Sequence, residues 1–236
     1  MTGHIYNQLL EMIITVAQAL GDEMLNEVAF VGGCTTGLLL TDDFSKEAVR
    51  YTDDVDLIIN VVGYPKWVAF QERLRTQGFR ESAEDNVICR MRLGELKVDF
   101  MPDDKKILGF SNRWYAKGFT AAQPHKLNDD ITIKLLTPTY FVATKLEAYL
   151  GRGNNDPQAS HDMEDILNLF DGREEIIQEI TTADTDVRNY IAQQIGQLLD
   201  NNDFGYAVQT TARGDRERED LIYERLEATR ELADHE

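Results

Sequence analysis

The sequence is poor in cysteine, in basic residues and in long apolar runs. Its two cysteines, Cys34 and Cys89, have no cysteine or histidine neighbours at metal-ligand spacing, so neither a disulfide framework nor a zinc site is indicated. No apolar stretch approaches the roughly 20 residues that cross a bilayer, and the first residues lack the basic start and apolar segment of a secretory signal. We therefore expect a cytoplasmic protein that does not associate with membranes.

The shortage of basic residues limits the partners that the surface can attract. Lysine and arginine number 24 against 42 aspartates and glutamates, a net charge of -18. Such a charge repels a polyanion over most of the surface, which counts against a broad, non-specific nucleic-acid footprint but leaves room for a local basic channel. The length of 236 residues and the 42% apolar content suit one large domain or two small ones with a real core.

The spacing of apolar residues changes once along the chain, near Thr137. The first half is predicted to form helices at Ile5–Leu20, from Thr35 to Leu40 and at Pro65–Gln77, and strands at Val28–Val31, Val55–Val62, Asn86–Leu93, Glu95–Met101 and Ile131–Leu136. The second half is predicted to form only helices, at Pro138–Leu150, Ser160–Phe170, Glu174–Ile180, Asp186–Leu199 and Asp220–Ala233, the last a solvated surface helix. The patterns predict an α+β protein: a mixed sheet with flanking helices over 1–137, then a helical domain over 138–236.

Two aspartates stand at the start of a strand that is otherwise apolar, in the segment RYTDDVDLIINV. Asp54 and Asp56 share one face of that strand, with Val55 turned to the other. Two carboxylates about 6 to 7 Å apart on one face repel each other unless a cation lies between them. Mg²⁺ prefers such oxygen ligands together with substrate phosphates, and Asp99 in ELKVDFMP is well placed on a neighbouring strand to complete the site.

A pair of glycines, Gly32 and Gly33, follows the first strand in FVGGCTTG. Glycine lets backbone N–H groups approach a phosphate closely, and the start of the next helix would add a favourable field. Taken alone, a Gly-Gly turn or an Asp-x-Asp is most often ordinary structure. The order of strand, Gly-Gly, helix and Asp-Val-Asp entering a second strand is what favours a nucleotide site.

These residues resemble a known superfamily, the nucleotidyltransferases of the DNA polymerase β type. The resemblance covers about Ala29 to Met101 and implies a nucleotidyltransferase-type domain that uses three acids and Mg²⁺ to move a nucleoside monophosphate from an NTP to an acceptor. Asp54, Asp56 and Asp99 would be the metal ligands. Gly32 and Gly33 would bind the triphosphate.

A second resemblance, to the AbiEii-like toxins of toxin-antitoxin and abortive-infection systems, narrows the first. It is carried by RYTDDVD together with TPTYFVATKLEAYLGRGNNDPQASHDMEDILNLF. The matching positions are Arg50, Thr52, Asp54, Asp56, Lys145, Asp162 and Asp165. The resemblance implies a substrate-binding role for Arg50, Thr52, Lys145, Asp162 and Asp165, a catalytic role for Lys145, and an antitoxin protein as partner.

The role of Lys145 stays open at this point. A lone ammonium in an apolar helix should face an anion, because its burial is costly. A triphosphate is one such anion, and a carboxylate such as Glu147 or Asp165 is another. Asp162 and Asp165 likewise fit either a substrate site or a structural ion-pair network.

The acceptor is the least determined part of the prediction. The resemblance to the toxins suggests RNA, most plausibly the 3′ end of tRNA, and a local basic strip could support it, formed by Arg73, Arg75, Arg80, Arg90, Arg92 and Lys97. A small molecule or a protein side chain is an alternative acceptor. A different class of function, a catalytically silent NTP-binding module that engages a partner protein, also fits the acidic surface.

Overall fold

A computed structural model describes residues 3–61, 63–85, 87–153 and 155–233. They pack as two compact units. The sheet unit combines the residues up to Thr35 with Arg50–Thr137, and the helical unit combines Thr36–Val49 with the chain from Pro138 onward. The segment Thr36–Val49 therefore packs with the later helices, although the sequence analysis places it in the first domain.

Six strands form one mixed sheet in the sheet unit. They are β1 (Val28–Val31), β2 (Asp54–Ile59), β3 (Arg90–Leu93), β4 (Leu96–Pro102), β5 (Gln123–Lys126) and β6 (Thr132–Leu135), in the order β3-β4-β2-β1-β6-β5. The pairs β2–β4 and β1–β6 are parallel, and the other neighbours are antiparallel. Two of the predicted strands have one end outside the described part of the chain. These ends are Val62 and Asn86.

Twelve α-helices and one 3₁₀ turn occur in the described residues. They are α1 (Gly3–Leu25), the 3₁₀ turn (Gly33–Thr35), α2 (Thr36–Leu39), α3 (Asp43–Lys46), α4 (Tyr64–Thr76), α5 (Lys105–Leu108), α6 (Tyr115–Ala121), α7 (Pro138–Arg152), α8 (His161–Gly172), α9 (Ile176–Thr181), α10 (Thr185–Leu199), α11 (Phe204–Ala212) and α12 (Arg216–Arg230). The mixed sheet, its flanking helices and the helical C-terminal region confirm the predicted α+β class. No helix in the described ranges combines the length and apolar character needed to span a bilayer.

The core of the sheet unit is built on β2, whose apolar residues from Val55 to Ile59 are buried. A continuous β-branched run of this kind is typical of a strand that is covered on both faces. Phe100 of β4 adds an aromatic cluster, because its ring meets Phe70 and Phe79 edge-on at centroid distances of 6.1 and 5.3 Å. The strand that carries the acidic pair is therefore held rigidly from both sides.

The helical unit is organised around α8, which buries most of its residues. Its last helix, α12, is more than the solvated surface helix that the charge pattern predicts. It buries Ile222 and Leu226, and its Arg218 donates to Asp42 and Asp171 at 3.0 and 2.6 Å. The Arg218 guanidinium therefore forms ion pairs within the helical unit. The charge pattern of the sequence does not identify these partners.

Candidate metal centre

Three aspartates meet at adjacent strands of the sheet unit. In the parallel β2–β4 pair, Asp56 lies opposite Asp99, and Asp54 lies two residues before Asp56 on the same face of β2. Ligand oxygens of the three carboxylates all lie within 4.8 Å of one another. The structure thus brings together the three residues that the sequence predicts as metal ligands.

The cluster is only partly open to solvent. The Asp54 side chain is 25% exposed and that of Asp99 is 11% exposed. Carboxylates this close repel each other, and partial burial strengthens the repulsion because less water screens it. The oxygen-only donor set is the one that Mg²⁺ prefers, so the residues fit a divalent ion.

Gly32 makes room for one of these carboxylates. A Cβ built at Gly32 would lie 1.8 Å from Oδ2 of Asp56, and the residue has φ +82°, a conformation that favours glycine. The first glycine of the pair is therefore required by the acidic cluster itself. From the sequence alone, only a phosphate-binding role is predicted for Gly32.

The turn after the glycines is short. Gly33 opens the 3₁₀ turn, and the carbonyl of Gly32 accepts hydrogen bonds from the backbone N–H and the hydroxyl of Thr35 at 3.1 and 2.8 Å. The helix that follows, α2, has four residues. The field that the sequence analysis expects from this helix is correspondingly small, because few peptide dipoles add up in one turn.

Arg90 of β3 reaches into the cluster. Its Nε and Nη2 donate to the two oxygens of Asp99 at 2.7 and 2.8 Å, and the same Nη2 donates to Oδ2 of Asp54 at 2.9 Å. The hydrogen bonds that this guanidinium donates to Asp99 raise its pKa further above its already high value. We call Asp54, Asp56, Asp99 and Arg90 the strand cluster.

Two further predicted substrate residues flank the strand cluster. The Thr52 hydroxyl donates to Oδ1 of Asp54 at 2.5 Å, which orients that carboxylate. Arg50 is half-buried and contacts the carbonyl of Tyr51 at 3.5 Å. Asp53, which lies between Thr52 and Asp54 in the chain, pairs with Lys97 at 2.6 Å and is outside the set of three carboxylates.

The remaining predicted site residues lie in the helical unit and contact one another. The Lys145 ammonium donates to Asp165 at 2.7 Å and to Asp162 at 3.1 Å, and Arg152 donates to both oxygens of Asp162 at 2.9 Å. Thr36 donates to Asp165 at 3.2 Å. We call Lys145, Arg152, Asp162 and Asp165 the helix cluster.

Burial and charge act against each other in the helix cluster. Burial alone would raise the pKa of Asp162, but the hydrogen bonds from Arg152 and the charge of Lys145 outweigh it and hold that pKa below its usual value. Lys145 pairs with Asp165, one of the two carboxylates that the sequence suggests as its partner. Glu147, the other candidate, accepts from the hydroxyl of Tyr190 instead. The phosphate-binding role of Lys145 stays a prediction.

The predicted basic strip is largely compensated within the described chain. Its cations lie against acids or carbonyls: Arg73 against Glu23 and Glu27, Arg75 against Glu81, Arg80 against the carbonyls of Arg75 and Phe79, Arg90 against the strand cluster, Arg92 against Asp85, and Lys97 against Asp53. Phosphates would have to compete with these partners. The strip is therefore a weaker anion surface than a count of its arginines and lysines suggests.

Cys89 is buried near the strand cluster. Burial, together with the charges of Asp99 and Asp56, raises the pKa of its thiol to about 12. The thiol is therefore protonated at neutral pH in the metal-free protein.

Sequence reasoning missed the role of Arg90, although a signal for it exists. Gly94 has φ +61° and turns the β3–β4 hairpin, so residues equidistant from the turn face each other. Arg90 and Asp99 form one such pair.

Comparison with known proteins adds no further guide, because the chain matches no protein-family model and no curated protein.

Proposed function

We propose that this protein is a Mg²⁺-dependent nucleotidyltransferase that moves a nucleoside monophosphate from an NTP to an acceptor. The observation that carries the proposal is the meeting of Asp54, Asp56 and Asp99 on two adjacent parallel strands, with oxygens within 4.8 Å. The resemblance in sequence order supports it. Gly32 supports it further, since it leaves room for the Asp56 carboxylate at the same cluster.

The three carboxylates would hold Mg²⁺, which when bound neutralises the phosphates and stabilises charge on the attacking and leaving oxygens. In the transfer, the acceptor hydroxyl oxygen bonds to the α-phosphorus of the NTP, the bond from that phosphorus to the β-phosphate oxygen breaks, and pyrophosphate leaves. Thr52 holds Asp54 in orientation through its 2.5 Å hydrogen bond. Catalysis by this arrangement comes mainly from positioning and charge neutralisation.

Asp99 is also proposed to accept the proton of the acceptor hydroxyl. Arg90 already contacts both of its oxygens. Proton acceptance therefore requires the guanidinium to shift, so that movement of Arg90 and activation of the acceptor are linked.

We propose RNA, at the 3′ end of tRNA, as the acceptor, and a toxin role with an antitoxin partner. The resemblance to the AbiEii-like toxins supports this. The compensated cations of the basic strip argue for modest RNA affinity, which should fall as salt rises because phosphate contacts release counterions. Transfer that is indifferent to salt and goes to a small molecule or a protein in the presence of tRNA would reject the RNA assignment alone.

The test is transfer of label from each of four α-³²P-labelled NTPs to cellular RNA and protein, with Mg²⁺. The matched pair of variants is Asp56→Asn, inside the strand cluster, and Asp53→Asn, its neighbour that pairs with Lys97 outside it. We expect transfer by the wild type and by Asp53→Asn, and at least about 100-fold less by Asp56→Asn. No transfer by wild type to any acceptor, or equal loss in both variants, would count against the proposal.

A second candidate is a catalytically silent NTP-binding module. The contact of Arg90 with two of the three acids favours it, because an arginine can balance acids in a purely structural network. Calorimetry separates the candidates. Mg²⁺-dependent NTP binding without transfer, with cell extract supplied, would support the silent module.

A further inference from the structure

The Nη2 atom of Arg90 lies between two carboxylates of the strand cluster. It is 2.8 Å from Oδ2 of Asp99 and 2.9 Å from Oδ2 of Asp54, while Nε holds the other oxygen of Asp99. The arginine side chain is only 14% exposed. One nitrogen thus binds the same two oxygens that a bridging cation would use.

The backbone fixes this position. Arg90 faces Asp99 across the antiparallel β3–β4 pair, where opposite Cβ atoms are about 5 Å apart, and β4 lies beside β2. The planar guanidinium presents several donors in fixed directions, so it can hold Asp99 at two points and still reach Asp54 on the next strand. A lysine ammonium at this site could not span both acids in the same way.

The guanidinium and a divalent ion at the cluster would compete for the same carboxylates. Mg²⁺ binds carboxylate oxygens at about 2.0 to 2.1 Å, inside the contact distance of Nη2. At such separations two positive charges repel by more than thermal energy even with an effective dielectric constant of about 20. An ion bound between Asp54 and Asp99 would therefore weaken or displace the contacts of Arg90 with at least one of them.

We propose that Arg90 is a built-in counter-cation that holds Asp54 and Asp99 in place in the metal-free protein and competes with the bridging divalent ion. This role rests on the proposed function only in treating the strand cluster as a metal site. Arg90 acts as a positioning residue: it limits repulsion among the acids before metal binds, and it sets the metal concentration at which the cluster fills.

The experiment uses Mn²⁺ as the probe, titrated into the full chain while free Mn²⁺ is followed by electron paramagnetic resonance. The test variant is Arg90→Gln, and the matched control is Arg92→Gln on the same strand, whose arginine contacts Asp85 at 2.7 and 3.0 Å and lies outside the cluster. We expect Arg90→Gln to bind Mn²⁺ at least about ten-fold more tightly than wild type, because a repelling charge is gone. Arg92→Gln should bind as wild type does.

Thermal unfolding gives a second readout. Without metal, Arg90→Gln should melt below both wild type and Arg92→Gln, because its acids are left uncompensated. Added Mg²⁺ should raise its melting temperature more than that of wild type. Weaker or unchanged Mn²⁺ affinity in Arg90→Gln would overturn the proposal.

If Arg90→Gln does not fold, Arg90→Lys decides the question. It keeps the positive charge but not the two-acid bridge, so we expect a smaller gain in Mn²⁺ affinity, and no gain would overturn the proposal. Neither readout needs a nucleotide. Tighter Mn²⁺ binding without any nucleotide transfer would reject the proposed function and leave the role of Arg90 standing, whereas Mn²⁺ that binds neither wild type nor variants would reject both.

Discussion

The strand cluster and the helix cluster, one in each unit, use similar residues but differ in their net charge. Among its named members, the strand cluster has three carboxylates and one guanidinium, an excess of two negative charges. The helix cluster has two carboxylates, one ammonium and one guanidinium, and no excess. The difference separates a cluster that attracts a further cation from one that is complete in itself.

The two clusters also differ in what a nearby backbone does for them. Gly32 leaves out a side chain so that Asp56 can stand in the strand cluster. In the helix cluster, Asp165 is fully buried and is bound by Lys145 and Thr36, so its environment is filled by partners. Space and excess charge together mark the strand cluster as the candidate site. The excess of carboxylates can be read from the sequence, whereas the space that Gly32 leaves for Asp56 cannot.

Unbalancing the helix cluster should have the largest effect on stability. Lys145→Ala leaves two buried carboxylates short of one cation, and breaking a buried pair in this way costs about 3 to 5 kcal/mol. For a chain of this size that lowers the melting temperature by roughly 6 to 20 °C. The measurement is thermal unfolding followed by circular dichroism.

The control for that prediction is Lys46→Ala in the same unit. Its partner Asp43 is 95% exposed, so the pair contributes about 1 kcal/mol or less. Equal melting temperatures for the two variants would show that Lys145 is not a structural member of the helix cluster. Weaker NTP binding at unchanged stability would instead assign it to phosphate.

Removing one charge from the strand cluster should have the reverse outcome. Asp56→Asn relieves repulsion, so we expect metal-free stability to stay within about 1 kcal/mol of wild type. Nucleotide transfer should fall at least about 100-fold, the usual cost of losing one preorganised electrostatic group. Transfer rates and melting curves of the same preparations check both parts, and a large loss of stability without loss of transfer would make Asp56 structural.

Gly32 offers a way to separate backbone strain from the cluster itself. Gly32→Ala adds left-handed strain of about 1 to 2 kcal/mol and also drives a methyl group into the Asp56 carboxylate. Gly94→Ala adds similar strain at φ +61° with nothing within 4 Å of the new Cβ. We expect both variants to lose stability and only Gly32→Ala to lose Mn²⁺ affinity, and equal Mn²⁺ binding would show that Asp56 is not a ligand.

Much of the fold could be predicted because its signals are local. The strand Val28–Val31 has the predicted bounds, and α1 departs from helical geometry at Gly21, where the predicted helix ends. The predicted hairpin is present and turns at Gly94. Each signal is a run of apolar residues that ends at a glycine.

The unpredicted elements lack such signals. β5 is largely exposed and contains Pro124, which is tolerated at a sheet edge but argues against a strand when only the sequence is read. α11 has few strong helix formers and begins with Phe204 and Gly205, so its existence depends on packing in the helical unit. Tertiary contacts decide both.

The candidate site likewise contains residues that local sequence signals identify and residues whose partners depend on tertiary packing. The three aspartates could be predicted because strand periodicity and a parallel neighbour place them on one face. Arg90 was assigned to an anion-binding strip because its charge is visible in the sequence and its partner is not. Whether Lys145 meets a phosphate or a carboxylate depends on the packing of α7 and α8, which the sequence leaves open.

The smallest expected effect comes from a pair that is neither buried like the helix cluster nor in charge excess like the strand cluster. The hydrogen bond from Ser45, assisted by Arg218, outweighs partial burial and lowers the pKa of Asp42 from 3.8 to about 2. Because the folded-state pKa is below the unfolded value, the ionised form stabilises the protein above about pH 4, and this contribution is lost as the pH falls through 2. With the Asp42 side chain 41% exposed, solvent screening reduces the contribution to about 1 kcal/mol or less.

The variant that tests this contribution is Asp42→Asn, which removes the charge but keeps an N-cap residue for α3. We expect wild type to be slightly more stable than Asp42→Asn at pH 6 and the gap to close towards pH 2, measured by denaturant unfolding at each pH. A gap that does not change with pH would assign the effect to side-chain packing rather than to charge.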